Sequence, residues 1–420
     1  MIGKSSGMPP SHVAEPTAAP AAELKTRVAE AIRSGRAEIL ALSHRIHADP
    51  EVRWQEHAAA AAVAEFLTAA GLDPVVGAYG VETAVEAVRG EGELTAALCA
   101  EYDALPGIGH ACGHNMIAAM SSAAAVALAS VAAEAGLRVK LLGTPAEESG
   151  GGKVALLKAG AFEDVAFALM VHPDTGDDVA VSTATTTAIE RFEVVFTGRA
   201  AHAAAAPHRG VNAGAAATLA LTAIGLARQM IPPSTSANAV ITDGGAATNI
   251  IPERTALQVE VRAGDLAEWQ RVKDQILACF EGAAIATGCS WSYVSMGVPY
   301  APMRHDPTLS AMWDQNLHDL GRTISYEGGA GGGSTDMGNV SQVVPAIHGK
   351  ISIPGSDAVP HRPDFTAAAV TPEADDTVIE GAIALAWTAL DAAMTPDARA
   401  QLLARRAARP AGATRHSFGG

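Results

Sequence analysis

The chain has 420 residues, more than one ordinary domain needs, and 49% of them are apolar, enough for a large core. A net charge of −16 without a basic block argues against nucleic acids and anionic membrane surfaces as partners. The chain has four cysteines, and because we expect no secretory signal, we predict free thiols rather than disulfides. We expect no continuous apolar segment as long as the about 20 residues that a membrane-spanning helix needs. We therefore expect a soluble cytoplasmic protein.

Strands and helices alternate in the first part of the chain. Residues 1–22 are rich in Pro, Ala and Ser and are predicted to be a disordered tail. In chain order we then predict a helix over 23–48, a helix over 57–70, strands over 83–88 and 94–100, a helix over 117–135, a strand over 138–142, a helix over 153–159 and a strand over 165–171. This alternation predicts an α/β fold whose mostly parallel sheet is flanked by helices.

The pattern changes near Ala184, where strands begin to alternate apolar and polar residues. We predict a first part of a catalytic domain over 23–184, a smaller inserted α+β domain over 185–298, a second part of the catalytic domain over 299–399 and a flexible tail over 400–420. The insert is predicted to hold strands near 190–196, 239–242, 256–262 and 291–296, with helices near 212–230 and 266–287.

Polar side chains follow three of the predicted strands at the point where each strand ends. Asp103, Cys112 and His114 follow the first, Glu147 and Glu148 the second, and His172 the third. Because the carboxyl ends of parallel strands meet at one edge of a sheet, these side chains are expected to converge there.

The residue types at this edge favour metal chemistry. Thiolate and imidazole, here Cys112 and His114 one residue apart, both suit Zn²⁺. Of two adjacent carboxylates, one can bind a metal while the other acts as general base. Each residue alone has an ordinary interpretation: a small core residue for Cys112, a satisfied loop histidine for His114, solvated acids for the glutamates and a turn residue for His172.

Seven blocks of the sequence together resemble the zinc peptidase and amidohydrolase family that includes glutamate carboxypeptidase, aminoacylase and the auxin-conjugate amidohydrolases. The similarity is greatest to the branch of p-aminobenzoyl-glutamate hydrolase subunits and β-alanyl-lysine (Xaa-Arg) dipeptidases. The blocks are AEYDALPGIGHACGHN (100–115), GTPAEESGGGK (143–153), ALMVHP (168–173), FTGRAAHAAAAPHRGVNA (196–213), NIIPE (249–253), GGSTDMGNVS (332–341) and the loop around His361.

The resemblance implies a role for each matching residue. Two divalent cations are expected, with Zn²⁺ as the favoured metal and Mn²⁺ or Co²⁺ as alternatives. The five expected ligands are Cys112, His114, Glu148, His172 and His361. Glu147 matches the general base that acts with a metal-bound water, and Asp103 matches the residue that orients a ligand. His202 matches a histidine that polarises the scissile carbonyl from a partner subunit, so the insert is expected to be a lid and dimerisation domain. The expected substrate-binding residues are Asn249, Arg262, Gly332, Gly333, Ser334 and Thr335.

The expected function is therefore a metal-dependent amidohydrolase or dipeptidase acting on an N-acyl amino acid, an aminobenzoyl-glutamate-like conjugate or a dipeptide. Asn115 and Thr335-Asp336 depart from the pattern of many relatives and leave the substrate open. Two alternatives remain: a catalytically inactive or non-hydrolytic metal-binding protein of the same fold, and a cysteine hydrolase using Cys112 and His114. The second is weakened because a Cys and a His two residues apart on a tight loop seldom meet as nucleophile and base.

Overall fold

The structure is a computed structural model that describes residues 20–327, 333–415 and 418. Of the predicted N-terminal tail, residues 1–19 lie outside the described residues, and the first helix begins at Ala21 rather than Glu23. The predicted helix over 23–48 is two helices that meet at Gly35, because this glycine has left the helical backbone conformation.

The described part of the chain contains twelve strands and twelve α-helices. The strands are β1 (Val75–Val76), β2 (Val85–Arg89), β3 (Leu94–Ala100), β4 (Leu137–Gly143), β5 (Phe167–Thr175), β6 (Asp178–Val179), β7 (Ala188–Thr197), β8 (Thr235–Asp243), β9 (Arg254–Ala263), β10 (Ser290–Ser295), β11 (Ile324–Ser325) and β12 (Ala346–Ile353). The helices are α1 (Ala21–Ser34), α2 (Arg36–Ala48), α3 (His57–Ala69), α4 (His114–Ala135), α5 (Gly152–Ala159), α6 (Ala213–Ala227), α7 (Leu266–Thr287), α8 (Pro307–Asp319), α9 (Met337–Ser341), α10 (Pro363–Ala368), α11 (Pro372–Met394) and α12 (Pro396–Ala407).

The larger domain is built around a six-stranded sheet in the order β1-β2-β4-β3-β5-β12. β3 pairs in parallel with β4 and β5, and β5 pairs in parallel with β12, while β1 and β2 add an antiparallel edge. All seven residues of β3 are buried, as expected for a central strand covered on both faces. The prediction of a mostly parallel α/β sheet flanked by helices is thus confirmed.

Two of the covering helices, α4 and α11, are long and apolar enough to cross a membrane by length and composition. The prediction that no window reaches this length and hydropathy was therefore wrong. In the structure 78% of each apolar window is buried, because α4 and α11 pack against each other and against the sheet. The apolar side chains of both helices therefore belong to the core of the larger domain.

The insert has a core of its own. A four-stranded antiparallel sheet in the order β10-β7-β9-β8 is covered on one face by α6 and α7. The apolar residues of β7 alternate with polar ones and face these helices, which explains the half-exposed pattern of its sequence. This α+β unit follows and precedes elements of the larger domain, as predicted for an inserted domain.

The C-terminal segment differs from its prediction as a flexible tail over 400–420. Helix α12 continues to Ala407, and Arg409 donates hydrogen bonds to the carbonyls of Phe162 and Val165 at 3.2 and 2.9 Å. The arginines that made this segment look unstructured instead satisfy carbonyl groups on the larger domain. Residues 416, 417, 419 and 420 lie outside the described residues.

Candidate active site

The carboxyl ends of β3, β4 and β5 bring the predicted side chains to one edge of the central sheet. Cys112 precedes the first residue of α4, which is His114. The glycine between them has φ = 71°, and an added Cβ would lie 2.5 Å from Pro173 Cγ. Only glycine fits this left-handed, crowded turn, so it fixes how the loop presents both side chains.

The five predicted metal ligands form two groups that share one atom. Cys112, His114 and His172 present ligand atoms within 4.8 Å of one another, and so do Cys112, Glu148 and His361. His361 Nε2 lies 3.2 Å from Cys112 Sγ and 3.6 Å from Glu148 Oε1. The structure therefore brings all five together, with the thiol between the two groups.

Unpartnered polar atoms in this cluster fit bound cations. His114 Nε2 and Glu148 Oε1 are both buried and have no hydrogen-bond partner among the described residues. Such atoms cost free energy unless something satisfies them. A thiol, three imidazoles and a carboxylate are also the donor types that Zn²⁺, Mn²⁺ and Co²⁺ accept. The residues present therefore fit a pair of divalent metal ions.

Asp103 connects the two groups. One of its oxygens lies 3.1 Å from His114 Nδ1, and the other accepts a hydrogen bond from the Glu148 backbone N–H at 2.9 Å. Burial alone would raise the pKa of Asp103, but His114 and these hydrogen bonds outweigh it and lower the pKa. An ionised Asp103 holds the Nδ1 proton of His114, so Nε2 points toward the ligand groups.

Burial also shifts the pKa values of two other predicted metal ligands. Burial, followed by the nearby His114, lowers the pKa of His172 to about 3, so this imidazole is neutral as metal binding requires. Burial raises the pKa of the Cys112 thiol. A buried thiol without a cation is not an activated nucleophile, which weighs against the cysteine hydrolase. His361 Nε2 also lies 3.2 Å from Cys112 Sγ, so in that alternative His114 would not be the one histidine beside the thiol.

Glu147 lies on a constrained loop between β4 and α5. Its neighbours Ala146 and Ser149 have φ values of 57° and 74°, in the left-handed region that non-glycine residues rarely adopt. The buried Glu56 carboxylate accepts a hydrogen bond from the Ala146 N–H at 2.8 Å, and Tyr300 Oη donates one to the Glu147 carbonyl at 2.6 Å. These contacts hold a strained backbone next to the predicted base.

The environment of Glu147 suits a general base. Burial, followed by the charges of Glu101 and Glu148, raises its pKa well above the ordinary value. A carboxylate with a raised pKa accepts a proton more readily from a water molecule. Its Oε2 lies 4.0 Å from His114 Nε2, beside the ligand groups.

A cavity of ≈ 580 Å³ opens above the cluster, between the larger domain and the insert. Glu147 and four of the five predicted ligands line it; His114 does not. Arg262 also lines it and donates a hydrogen bond to Ser334 Oγ at 3.4 Å, while pairing with Glu260 at 2.7 Å. Gly333 and Thr335 also line the cavity, and Gly332 lies outside the described residues.

Two predicted residues stand apart from the cavity of their own chain. His202 and Asn249 are exposed on the insert and are not among the described residues that line the cavity. His202 Nδ1 accepts hydrogen bonds from the N–H groups of Ala204 and Ala205 at 3.2 and 3.1 Å. The Asn249 carbonyl accepts one from the Ala203 N–H at 2.9 Å, so both residues belong to one loop region.

Sequence reasoning missed a group of buried polar residues beneath the site. They are Glu56, Glu101, Lys153, Asp336 and His348. Glu101 could have been found, because it lies two residues before Asp103 on an extended segment and so points to the same side. The other four carry no local signal that separates them from ordinary polar residues.

Comparisons with known proteins agree with this geometry. Residues 187–287 match the M20 peptidase dimerisation domain. The chain is 39% identical over 408 residues to the Xaa-Arg dipeptidase of Mus musculus, covering 91% of this chain and 93% of the mouse protein. It is 30% identical over 285 residues to one subunit of the p-aminobenzoyl-glutamate hydrolase of Escherichia coli, covering 63% of this chain and 59% of the bacterial one.

A crystal structure of a dinuclear metal-binding peptidase of the M20 family from Bacillus subtilis has the same fold, with a TM-score of 0.68 and 20% identity over 86% of this chain and 99% of that one. The match to the dimerisation domain lies within the predicted insert of residues 185–298. The resemblance inferred from the sequence blocks is confirmed, and the chain belongs to the M20 family of metal-dependent amidohydrolases and dipeptidases.

Proposed function

We propose that this chain is a dipeptidase that hydrolyses the amide bond of a dipeptide with a basic C-terminal residue. The observation that carries the proposal is the pair of ligand groups sharing Cys112, with the buried carboxylate of Glu147 beside them. The substrate class follows from the mouse relative, which is an Xaa-Arg dipeptidase. N-acyl amino acids and aminobenzoyl-glutamate-like conjugates are the next candidates. The acidic chain is proposed to act in the cytoplasm.

The metal ions would be held by the two groups, with Cys112 common to both. Bound Zn²⁺, Mn²⁺ or Co²⁺ would polarise the scissile carbonyl and lower the pKa of a water molecule. His114 and His172 would hold one cation, and Glu148 and His361 the other. The softness of the thiol favours Zn²⁺ among these metals.

The protein side chains would carry the proton and orient the reactants. Glu147 would accept a proton from the attacking water and pass it to the leaving amine, since its raised pKa suits both steps. Asp103 would keep His114 in the tautomer that leaves Nε2 free. Arg262, which lines the same cavity, would bind the substrate carboxylate together with Ser334.

A dimer through the insert would complete the site. Helix α6 and the turn after it expose large apolar side chains, with Leu226 72% and Met230 73% accessible. The neighbouring edge strand β8 exposes Val240, which is 57% accessible. An apolar helix face beside an unpaired strand edge favours association with a second copy through both elements. In that dimer His202 would reach the cavity of the partner subunit.

The dimer surface can be tested by a charge on α6. Leu226→Glu is expected to shift the protein from dimer to monomer, because it buries an unpaired carboxylate in the apolar contact. Ile285→Glu is the matched control, since Ile285 is 76% exposed on α7, a helix that the proposed contact through α6 and β8 does not include. Sedimentation equilibrium checks both variants. A dimeric Leu226→Glu protein, or a dissociated Ile285→Glu protein, would contradict this surface.

The contribution of His202 across the dimer can be tested by complementation. Glu147→Gln and His202→Ala are each expected to lower dipeptide hydrolysis at least about a hundredfold. Co-expressed, the two variant chains form mixed dimers in which one site has both an intact Glu147 and the partner's His202. We expect specific activity of about a quarter of the unchanged protein, because half the C2 dimers are mixed and each has one working site. Activity no higher than that of either variant alone would place His202 in its own chain's site or outside catalysis.

A substrate panel tests the proposed function itself. The metal-loaded protein is assayed on Xaa-Arg and Xaa-Lys dipeptides, β-alanyl dipeptides, p-aminobenzoyl-glutamate and N-acetyl amino acids. Hydrolysis of the basic dipeptides at the highest kcat/KM is expected, and a chelator should abolish it. A protein that binds metal and cleaves none of these amides would be the catalytically inactive alternative.

A further inference from the structure

A buried cluster of charges lies directly beneath the ligand groups. Lys153 Nζ donates to a carboxylate oxygen of Glu101 and, at 2.7 Å, to Asp336 Oδ1. The Lys153 backbone N–H donates to Asp336 Oδ2 at 2.8 Å. The side chains of all three residues have no accessible surface. The cluster places two carboxyl groups and one ammonium group away from water, and an excess of buried carboxylates is costly unless a cation lies nearby.

One atom of this cluster is left without a partner. Glu101 Oε2 accepts no hydrogen bond among the described residues, and His114 Nε2 lies 3.5 Å away. This imidazole nitrogen is also buried and accepts or donates no hydrogen bond among the described residues, while Asp103 lies at the other nitrogen of the ring. Two ligand-type atoms therefore face each other, both buried and neither with a hydrogen-bond partner in the described part of the chain.

Their separation matches a shared metal ion better than a direct hydrogen bond. A charge-assisted hydrogen bond between imidazolium and carboxylate is about 2.7–2.9 Å long. A Zn²⁺ ion about 2.0–2.2 Å from each of two tetrahedral ligand atoms would place those atoms roughly 3.4 Å apart. Glu101, His114 and Glu147 also form a third group whose ligand atoms all lie within 4.8 Å of one another.

We propose that Glu101 is a sixth protein ligand, which contributes a carboxylate oxygen to the metal ion bound by His114. Lys153 and Asp336 fix its position: the ammonium group holds one oxygen, and the other is left for the cation. The Glu101 carboxylate would then compensate part of the charge of the metal. This inference rests on the proposed metal-dependent function.

The test is a competition titration of the metal-free full chain with Zn²⁺ against a chromophoric chelator. Glu101→Gln is expected to weaken one of the two sites at least about tenfold and to leave the other within about threefold. Asp178→Asn is the matched control, because Asp178 is a buried carboxylate paired with Arg322 at 2.9 Å outside the cavity. It should change neither affinity by more than about threefold.

The outcomes separate this inference from the function on which it rests. Two unchanged affinities in a folded Glu101→Gln protein would overturn the role of Glu101 while leaving the dinuclear site intact. An unchanged chain that binds no Zn²⁺ would instead overturn the proposed function. If Glu101→Gln fails to fold by circular dichroism, Glu101→Asp takes its place, since it keeps the charge but shortens the side chain by one methylene. Glu101→Asp is expected to show the same loss of Zn²⁺ affinity at one site. Unchanged Zn²⁺ affinity at both sites would overturn the proposal.

Discussion

Glu147→Gln is expected to lower kcat for dipeptide hydrolysis at least about a hundredfold while both metal ions stay bound. Glutamine keeps the size of the side chain but cannot accept a proton from water. The Glu147 backbone carbonyl would still accept its hydrogen bond from Tyr300, so the strained loop should keep its shape. KM should change little, because the proposed contacts to the substrate carboxylate come from Arg262 and Ser334 rather than from Glu147.

The neighbouring residue is the control for this prediction. Glu148→Gln removes a ligand rather than the base, so it is expected to lose metal as well as activity, with one cation fewer by elemental analysis. The two adjacent substitutions thus separate proton transfer from metal binding. Substantial turnover in Glu147→Gln, or metal loss equal to that of Glu148→Gln, would remove Glu147 from the role of base.

Cys112→Ala is expected to have the largest effect on metal binding, because it removes the one atom common to both ligand groups. The metal affinity of both sites should fall more than about a hundredfold. This is a larger loss than the one expected when a residue that only supports a ligand is removed. Activity should fall with them. Cys112→Asp should retain part of the metal binding, since a carboxylate is also a ligand that divalent cations accept.

Cys279→Ser is the matched control for the thiol. Cys279 is a free, half-buried cysteine on the insert, outside both ligand groups. Its substitution should leave metal content and activity unchanged. If Cys112→Ala kept two metal ions per chain, the thiol would not lie between the cations, and the arrangement of the ligands would have to be different.

The local part of the site was predictable from the sequence. Cys112, His114 and Glu148 follow strands of a parallel sheet, and the rule that such strand ends meet at one edge predicts that they converge with His172. His172 was predicted to follow its strand, whereas it lies within β5, near the carboxyl end. His361 was not predictable in this way. It lies 249 residues from Cys112 along the chain, in a loop without a distinctive pattern, and only the family resemblance assigned it.

Features that depend on packing were outside the reach of sequence patterns. Glu101 could be found from its spacing to Asp103, but its buried partners Lys153 and Asp336 come from distant elements of the chain. The second half of the helix Pro396–Ala407 was predicted as part of a flexible tail over 400–420 because that segment is rich in Arg and Ala, whereas Arg405 and Arg406 bind a carboxylate and a carbonyl group of the larger domain. The apolar length of α4 and α11 was underestimated. These alanine-rich helices are apolar over most of their surface because they are buried on most sides.

Anomalous diffraction from crystals of the full chain grown with Zn²⁺ tests the central claim most directly. The account predicts two peaks on either side of Cys112 Sγ, one within bonding distance of His114 and His172 and the other within bonding distance of Glu148 and His361. A single peak elsewhere, or no peak within reach of the sulfur atom, would contradict it.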